Sequence, residues 1–130
     1  MKTSSFFTTT GEGRISIARF APRNIETGYR EFRALAPAAR WFKTASKEEY
    51  RKLYLAEILA PLDPRVTYAQ LCALAGDAEP VLLCWERPPL TDTNWCHRRL
   101  VAEWFKETLG ITVLEAGPPL RQLSLLGGER

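Results

Sequence analysis

The sequence predicts a small three-layer α/β domain, with a mostly parallel sheet of about four strands and helices on both faces. Three observations predict it. Val81-Leu82-Leu83-Cys84-Trp85 is a continuous apolar run without alternation, the pattern of a strand covered on both sides. That run is followed by a loop, a helical stretch ending at Gly110, and the strand-like Ile111-Thr112-Val113-Leu114, which together make a right-handed βαβ unit. Near the start of the chain, Ile15 and Ile17 alternate against Ser16 and Ala18, the period of a half-buried strand.

Taken in order, residues 3–8 have the β-branched and aromatic composition of a first strand. Thr9-Thr10-Gly11-Glu12-Gly13 is a turn, and a second strand over 14–20 ends before Pro22, which cannot donate to a ladder. Tyr29, Phe32 and Leu35 stand at helical spacing before Pro37, and Ala38 to Thr44 reads as a second short helical piece. Ser46 and Glu49 form a capping box opening a helix whose stripe is Tyr50, Leu53, Tyr54 and Ile58, read as core. Asp63 with Pro64 at the first helical position starts another helix, closed by Gly76 and carrying Cys72 on its core side. A third strand covers 80–85. Arg87 to Thr93 is a loop, and Asn94 caps a helix from Trp95 to about Leu109. The last strand covers 111–115. Beyond Gly117, Leu120, Leu123, Leu125 and Leu126 can dock on the body while the final residues fray. One domain is expected over residues 1–130, with its structured part over 3–115.

Composition excludes some classes. There is no apolar run long enough for a membrane span, and the apolar part of the N-terminus is too short for a signal peptide. The expected location is cytoplasmic, where three cysteines, an odd number, fit a reducing compartment better than a disulfide framework. The net charge of +3 is a mild bias towards anionic small molecules or nucleic acid, with the basic residues spread along the chain.

The chemistry concentrates between Cys84 and Arg99, which holds two of the three cysteines and the only histidine. Cys84 and Glu86 fall at the C-terminal end of the central strand, and Cys96, His97 and Arg98 in the first turn of the next helix. An α/β sheet brings those ends together. Unpaired N–H groups and the helix dipole favour an anion there, Arg98 or Arg99 can clamp it, and Cys96 is the most plausible reactive thiol. Glu86 is a candidate nucleophile or general base. Arg19, near the end of the second strand, lies at the same edge. A metal site would use Cys84, Cys96 and His97, but Cys96 and His97, as neighbours on a helix, would point about 100° apart. A Cys84–Cys96 disulfide or redox pair requires close Cα atoms. The plain alternative has Cys84 as core filler, Glu86 paired with Arg98 or Arg99, and His97 packed on the sheet. No Gly-x-Ser-x-Gly, P-loop or dinucleotide fingerprint is present, since the Gly11/Gly13 pair does not open a helix.

Leu82-Leu83-Cys84-Trp85-Glu86-Arg87-Pro88, followed by Cys96-His97-Arg98-Arg99-Leu100-Val101-Ala102-Glu103-Trp104, resembles the family called domain of unknown function 488, whose strand ends in Cys-x-Glu and whose helix opens with Cys-His-Arg. Leu35-Ala36-Pro37, Trp41-Phe42-Lys43, Glu49-Tyr50 through Ile58, and the first two strands also resemble it, so the likeness covers residues 3–115. The loop Arg87 to Trp95 is longer than the family pattern. The resemblance implies a Rossmann-like α/β fold and that Cys84, Glu86, Cys96, His97 and Arg98 act together; it implies no activity or cofactor. The sequence therefore favours a domain that binds or processes an anionic, phosphorylated or nucleotide-like small molecule, with Arg98, Arg19 and Arg99 as ligand-binding residues. The alternatives are a nucleic-acid or protein interaction module using Arg98 and Arg99, and a metal or redox site.

Overall fold

β4 (Val81–Cys84) lies at the centre of a five-stranded sheet. The computed structural model describes residues 1–25 and 27–116. Around β4 stand β1 (Lys2–Ser5), β2 (Arg14–Ser16), β3 (Arg30–Glu31) and β5 (Leu114–Glu115), in the order β3-β2-β4-β1-β5. Every pairing is parallel. Leu82 stands in register with Thr3 on one side and Ile15 on the other, and Leu82, Leu83 and Cys84 are buried while Val81 and Trp85 at the ends of the run are not.

The helices are α1 (Lys47–Leu53), α2 (Pro64–Ala75) and α3 (Arg98–Leu109). The Ser46–Glu49 capping box opens α1, and both of its reciprocal hydrogen bonds form. The chain then continues through a π-helical turn over Tyr54–Leu59. Asp63 accepts from the Arg65 and Val66 N–H groups at the start of α2, with Pro64 where a missing donor costs nothing. Gly110 closes α3 in the left-handed conformation. Cys72 on α2 is half-buried and free.

Tyr54, Leu59, Leu71, Val101 and Phe105 from the helical segments meet Ile15, Ile17 and Leu82 in the main core. The other sheet face carries Leu83 and Phe6, which pack against Ala21, Ile25, Tyr29 and Leu90. Helices were expected on this face too, but connecting segments cover it; Pro22 and Gly28 interrupt helix formation in the first of them.

Three stretches differ from the sequence reading: residues 29–35, the start of α3, and residues 38–44, which form hydrogen-bonded turns and not a helical piece. Tyr29 to Leu35 is not one helix but the edge strand β3 followed by a 3-10 turn over Arg33–Leu35. Residues three apart align in a 3-10 turn as they do on a helix, so the spacing of Phe32 and Leu35 suits both. Helix α3 starts three residues later than expected, because the Asn94 side chain donates instead to the Arg87 and Pro89 carbonyls (2.6 and 2.9 Å) and ties the 87–94 loop. The leucines Leu120, Leu123, Leu125 and Leu126 lie outside the described residues. No helix among the described residues is long and apolar enough to cross a membrane.

Candidate functional site

A cleft of about 990 Å³ opens at the C-terminal edge of the sheet, between the ends of β2 and β4 and the segment entering α3. Parallel strands all present their C-terminal ends here, so residues distant in sequence converge. Cys84 comes from the last position of β4, Trp85 and Glu86 from the turn after it, and Ala18, Arg19 and Phe20 from the chain leaving β2. Cys96 and His97 come from the residues just before α3.

His97 is buried, and its Nε2 lies 2.7 Å from the Ile17 carbonyl oxygen. A carbonyl only accepts, so Nε2 carries the proton and Nδ1 presents a lone pair. Nδ1 lies 3.7 Å from Cys96 Sγ. Burial holds the His97 imidazole neutral, pulling its pKa down to about 4; the Ile17 carbonyl opposes this and the nearby Arg98 charge adds to it. The ring is anchored to the sheet, so His97 gives α3 no side-chain cap.

The sulfurs of Cys84 and Cys96 stand at bonding distance and are joined as a disulfide, with Cα atoms 7.1 Å apart. That separation lies beyond the roughly 4.4–6.8 Å that ordinary disulfides span. The ligand atoms of Cys84, Cys96 and His97 all fall within 4.8 Å of one another. The expected divergence of Cys96 and His97 does not arise, because neither lies within the helix proper: α3 begins at Arg98.

Arg98 belongs elsewhere. Its side chain is fully buried beneath the cleft and does not line it. Nε and Nη2 donate to the two Glu115 carboxylate oxygens at 3.0 and 2.7 Å, and Nη1 lies 3.4 Å from Cys84 Sγ. Arg99 donates to Thr3 Oγ1 and the Val113 carbonyl, and lines a separate shallow depression with Lys106. Both donors are thus committed to the sheet. The pairing of Glu86 with one of them, which the plain alternative required, is absent, and among the described residues Glu86 has no ion-pair partner.

Among the described residues, the cations that line the cleft are Arg19, Arg23 and Lys43, against the single carboxylate of Glu86. Arg19 Nε is buried without a hydrogen-bond partner among the described residues. The walls are aromatic. Phe20 is 58% exposed and Trp85 45%; Trp85 Nε1–H donates to the Phe20 carbonyl at 2.6 Å, fixing one residue against the other. Tyr50 lines the inner wall, its ring between Trp41 and Trp95 at centroid distances of 4.9 and 4.8 Å. Burial, and then the Glu86 charge, hold its phenol well above the usual pKa. Sequence reasoning passed over Arg23, Lys43, Phe20 and Tyr50. For Phe20 a signal existed, since it lies in the stretch leaving β2 at the ligand-collecting edge; Arg23, seven residues past the strand, carries none. Tyr50 shares the apolar stripe of α1 and carries no such mark.

A family model described as the active DUF488-N3 subclade matches residues 7–109. No curated protein and no solved structure matches the chain.

Proposed function

The chain belongs to the DUF488 family, in its active DUF488-N3 subclade, and on that premise we propose that the cleft binds an anionic small molecule with a planar part, phosphorylated or nucleotide-like. Arg19 carries the reading. A buried guanidinium N–H without an acceptor costs more than a neutral one, on the order of 1–3 kcal/mol or above, and a ligand oxygen relieves that cost. Arg23 and Lys43 extend the positive field over the mouth, and Phe20 and Trp85 offer flat faces on which a base or ring can stack. Glu86, half-buried and without an ion-pair partner among the described residues, acts in this reading as nucleophile or general base on the bound molecule, in a glycosyl-transfer or hydrolysis reaction.

The alternative, a nucleic-acid or protein module contacting its partner through Arg98 and Arg99, has less support, because both side chains are engaged with Glu115, Thr3 and Val113. The test is thermal unfolding against a panel of nucleotides, nucleosides, sugar phosphates and simple anions. A ligand at a hundred times its dissociation constant adds about 2.7 kcal/mol. The expected result is a rise of several degrees that Arg19→Met abolishes and Arg99→Met leaves in place. A rise that survives Arg19→Met, or no rise with any anion, overturns the reading. Glu86→Gln is expected to retain binding and lose turnover of the bound compound.

A further inference from the structure

Cys84, Cys96 and His97 each offer one ligand atom at the floor of the cleft, buried and mutually close. We infer that, with both cysteines as thiols, these three residues hold a zinc-class divalent cation whose fourth coordination position opens on the cleft. This deepens the anion-binding reading, and rests on it for what fills the open position: an oxygen of the bound anion, or a water molecule that it displaces.

The donor set comes first. Two sulfurs and an imidazole nitrogen suit zinc and its neighbours rather than calcium or magnesium, which take oxygen ligands. The tautomer agrees. His97 Nε2–H donates a hydrogen bond to the Ile17 carbonyl, which leaves the Nδ1 lone pair toward Cys96 Sγ. Anchoring the second ring nitrogen on a backbone carbonyl is how metal-binding histidines are commonly oriented.

Charge balance points the same way. Arg98 Nη1 lies beside Cys84 Sγ, the surroundings a thiolate requires, and Glu115 already neutralises that guanidinium. Two thiolates, a neutral imidazole and a dication then sum to zero, so the buried cluster carries no net charge. The 7.1 Å between the Cys84 and Cys96 Cα atoms is more than a direct sulfur–sulfur link ordinarily spans, so that once the bond is reduced and the sulfurs turn apart, the two backbones stand far enough apart to hold a metal ion between the thiolates.

The cluster also has an open side. All three ligands line the cleft, and no fourth His, Cys, Asp or Glu joins the group among the described residues. Structural zinc sites close with four protein ligands, whereas three ligands with an exchangeable position mark a site that meets substrate.

The experiment takes the full chain, purified under a phosphine reductant. It measures bound metal by elemental analysis and, after exchange, the absorption spectrum of the cobalt(II) form. The expected result is one zinc per chain, and a cobalt spectrum with thiolate charge-transfer bands and the intense visible bands of tetrahedral cobalt. His97→Gln and Cys96→Ser are expected to lose both, while Cys72→Ser keeps them. A reduced wild-type chain that takes up neither metal overturns the inference, whether or not the variants fold. So does an intact mass two hydrogens below the dithiol form that persists under reductant. Metal uptake without any anion-dependent stabilisation sinks the anion reading alone. Anion stabilisation through Arg19 in a metal-free chain sinks the metal site alone.

Discussion

At the N-terminal end of the sheet, the Gly13 carbonyl accepts from Val81 N–H at 2.8 Å and the Lys2 N–H donates to the Pro80 carbonyl at 2.9 Å. Arg14, buried there, donates to the Gly11 and Thr27 carbonyls at 2.7 and 2.6 Å. At the C-terminal end the described residues leave a cleft, a carboxylate without a counterion among them, and an arginine N–H without an acceptor among them. Both ends contain a buried or half-buried arginine close to β2: Arg14 is its first residue, and Arg19 lies three residues past its last. What separates them is whether the protein itself supplies the acceptors. A charged residue that the fold satisfies holds the fold together; one that it leaves unsatisfied is available to a ligand. By that measure Arg98, although it sits in the same short motif as Cys96 and His97, belongs with the satisfied group.

The sharpest way to break this comparison is Gly13→Ala. Gly13 has φ +85°, and a Cβ there would collide with the Glu79 backbone carbonyl, which cannot swing aside. Strain and collision together should cost on the order of 4 kcal/mol in urea unfolding; a loss below about 1 kcal/mol would mean that the closed end is looser than described. Next comes Glu115→Gln, which leaves the Arg98 guanidinium buried without its counterion. It is expected to lose about 3 kcal/mol and to lower the thermal midpoint by roughly 10 °C. Little change there would free Arg98 for a ligand. Arg14→Met should cost about 1–2 kcal/mol, since two carbonyls lose their donor near the surface. The smallest stability effect belongs to Arg19→Met, expected within about 0.5 kcal/mol of wild type or slightly stabilising, because the lost N–H had no partner among the described residues. A large loss at Arg19 would place it among the structural arginines.

The sequence shows the sheet better than the site. β4 is legible because an apolar run bounded by Pro80 and a proline-rich loop leaves little else for it to be, and α1 and α2 because their caps are written in Ser46, Glu49, Asp63 and Pro64. β3 is not legible: its two residues are exposed at a sheet edge, so burial leaves no pattern in them. For the site, the stretch from Cys84 to His97 was marked by its residue types, and the edge position of Arg19 by its distance from β2. The role of Arg98 was hidden, because its partner Glu115 sits on a strand seventeen residues away, and nothing in either residue announces the pairing. Spacing specifies which side chains share an element. It does not specify which charges across elements will meet.

The strand order has a consequence for how the chain folds. β1 and β2 are the first strands made, yet they do not touch; β4 lies between them and pairs with both. During synthesis β1 must wait unpaired, and β2 with only β3 beside it, until Cys84 has emerged, and the loop that then closes onto β1 is most of the domain. Folding is therefore expected to be slow for a chain of this size, with one late step that sets the whole sheet at once. That step also brings Cys84 beside the residues after β2, so the floor of the cleft and the centre of the sheet form together.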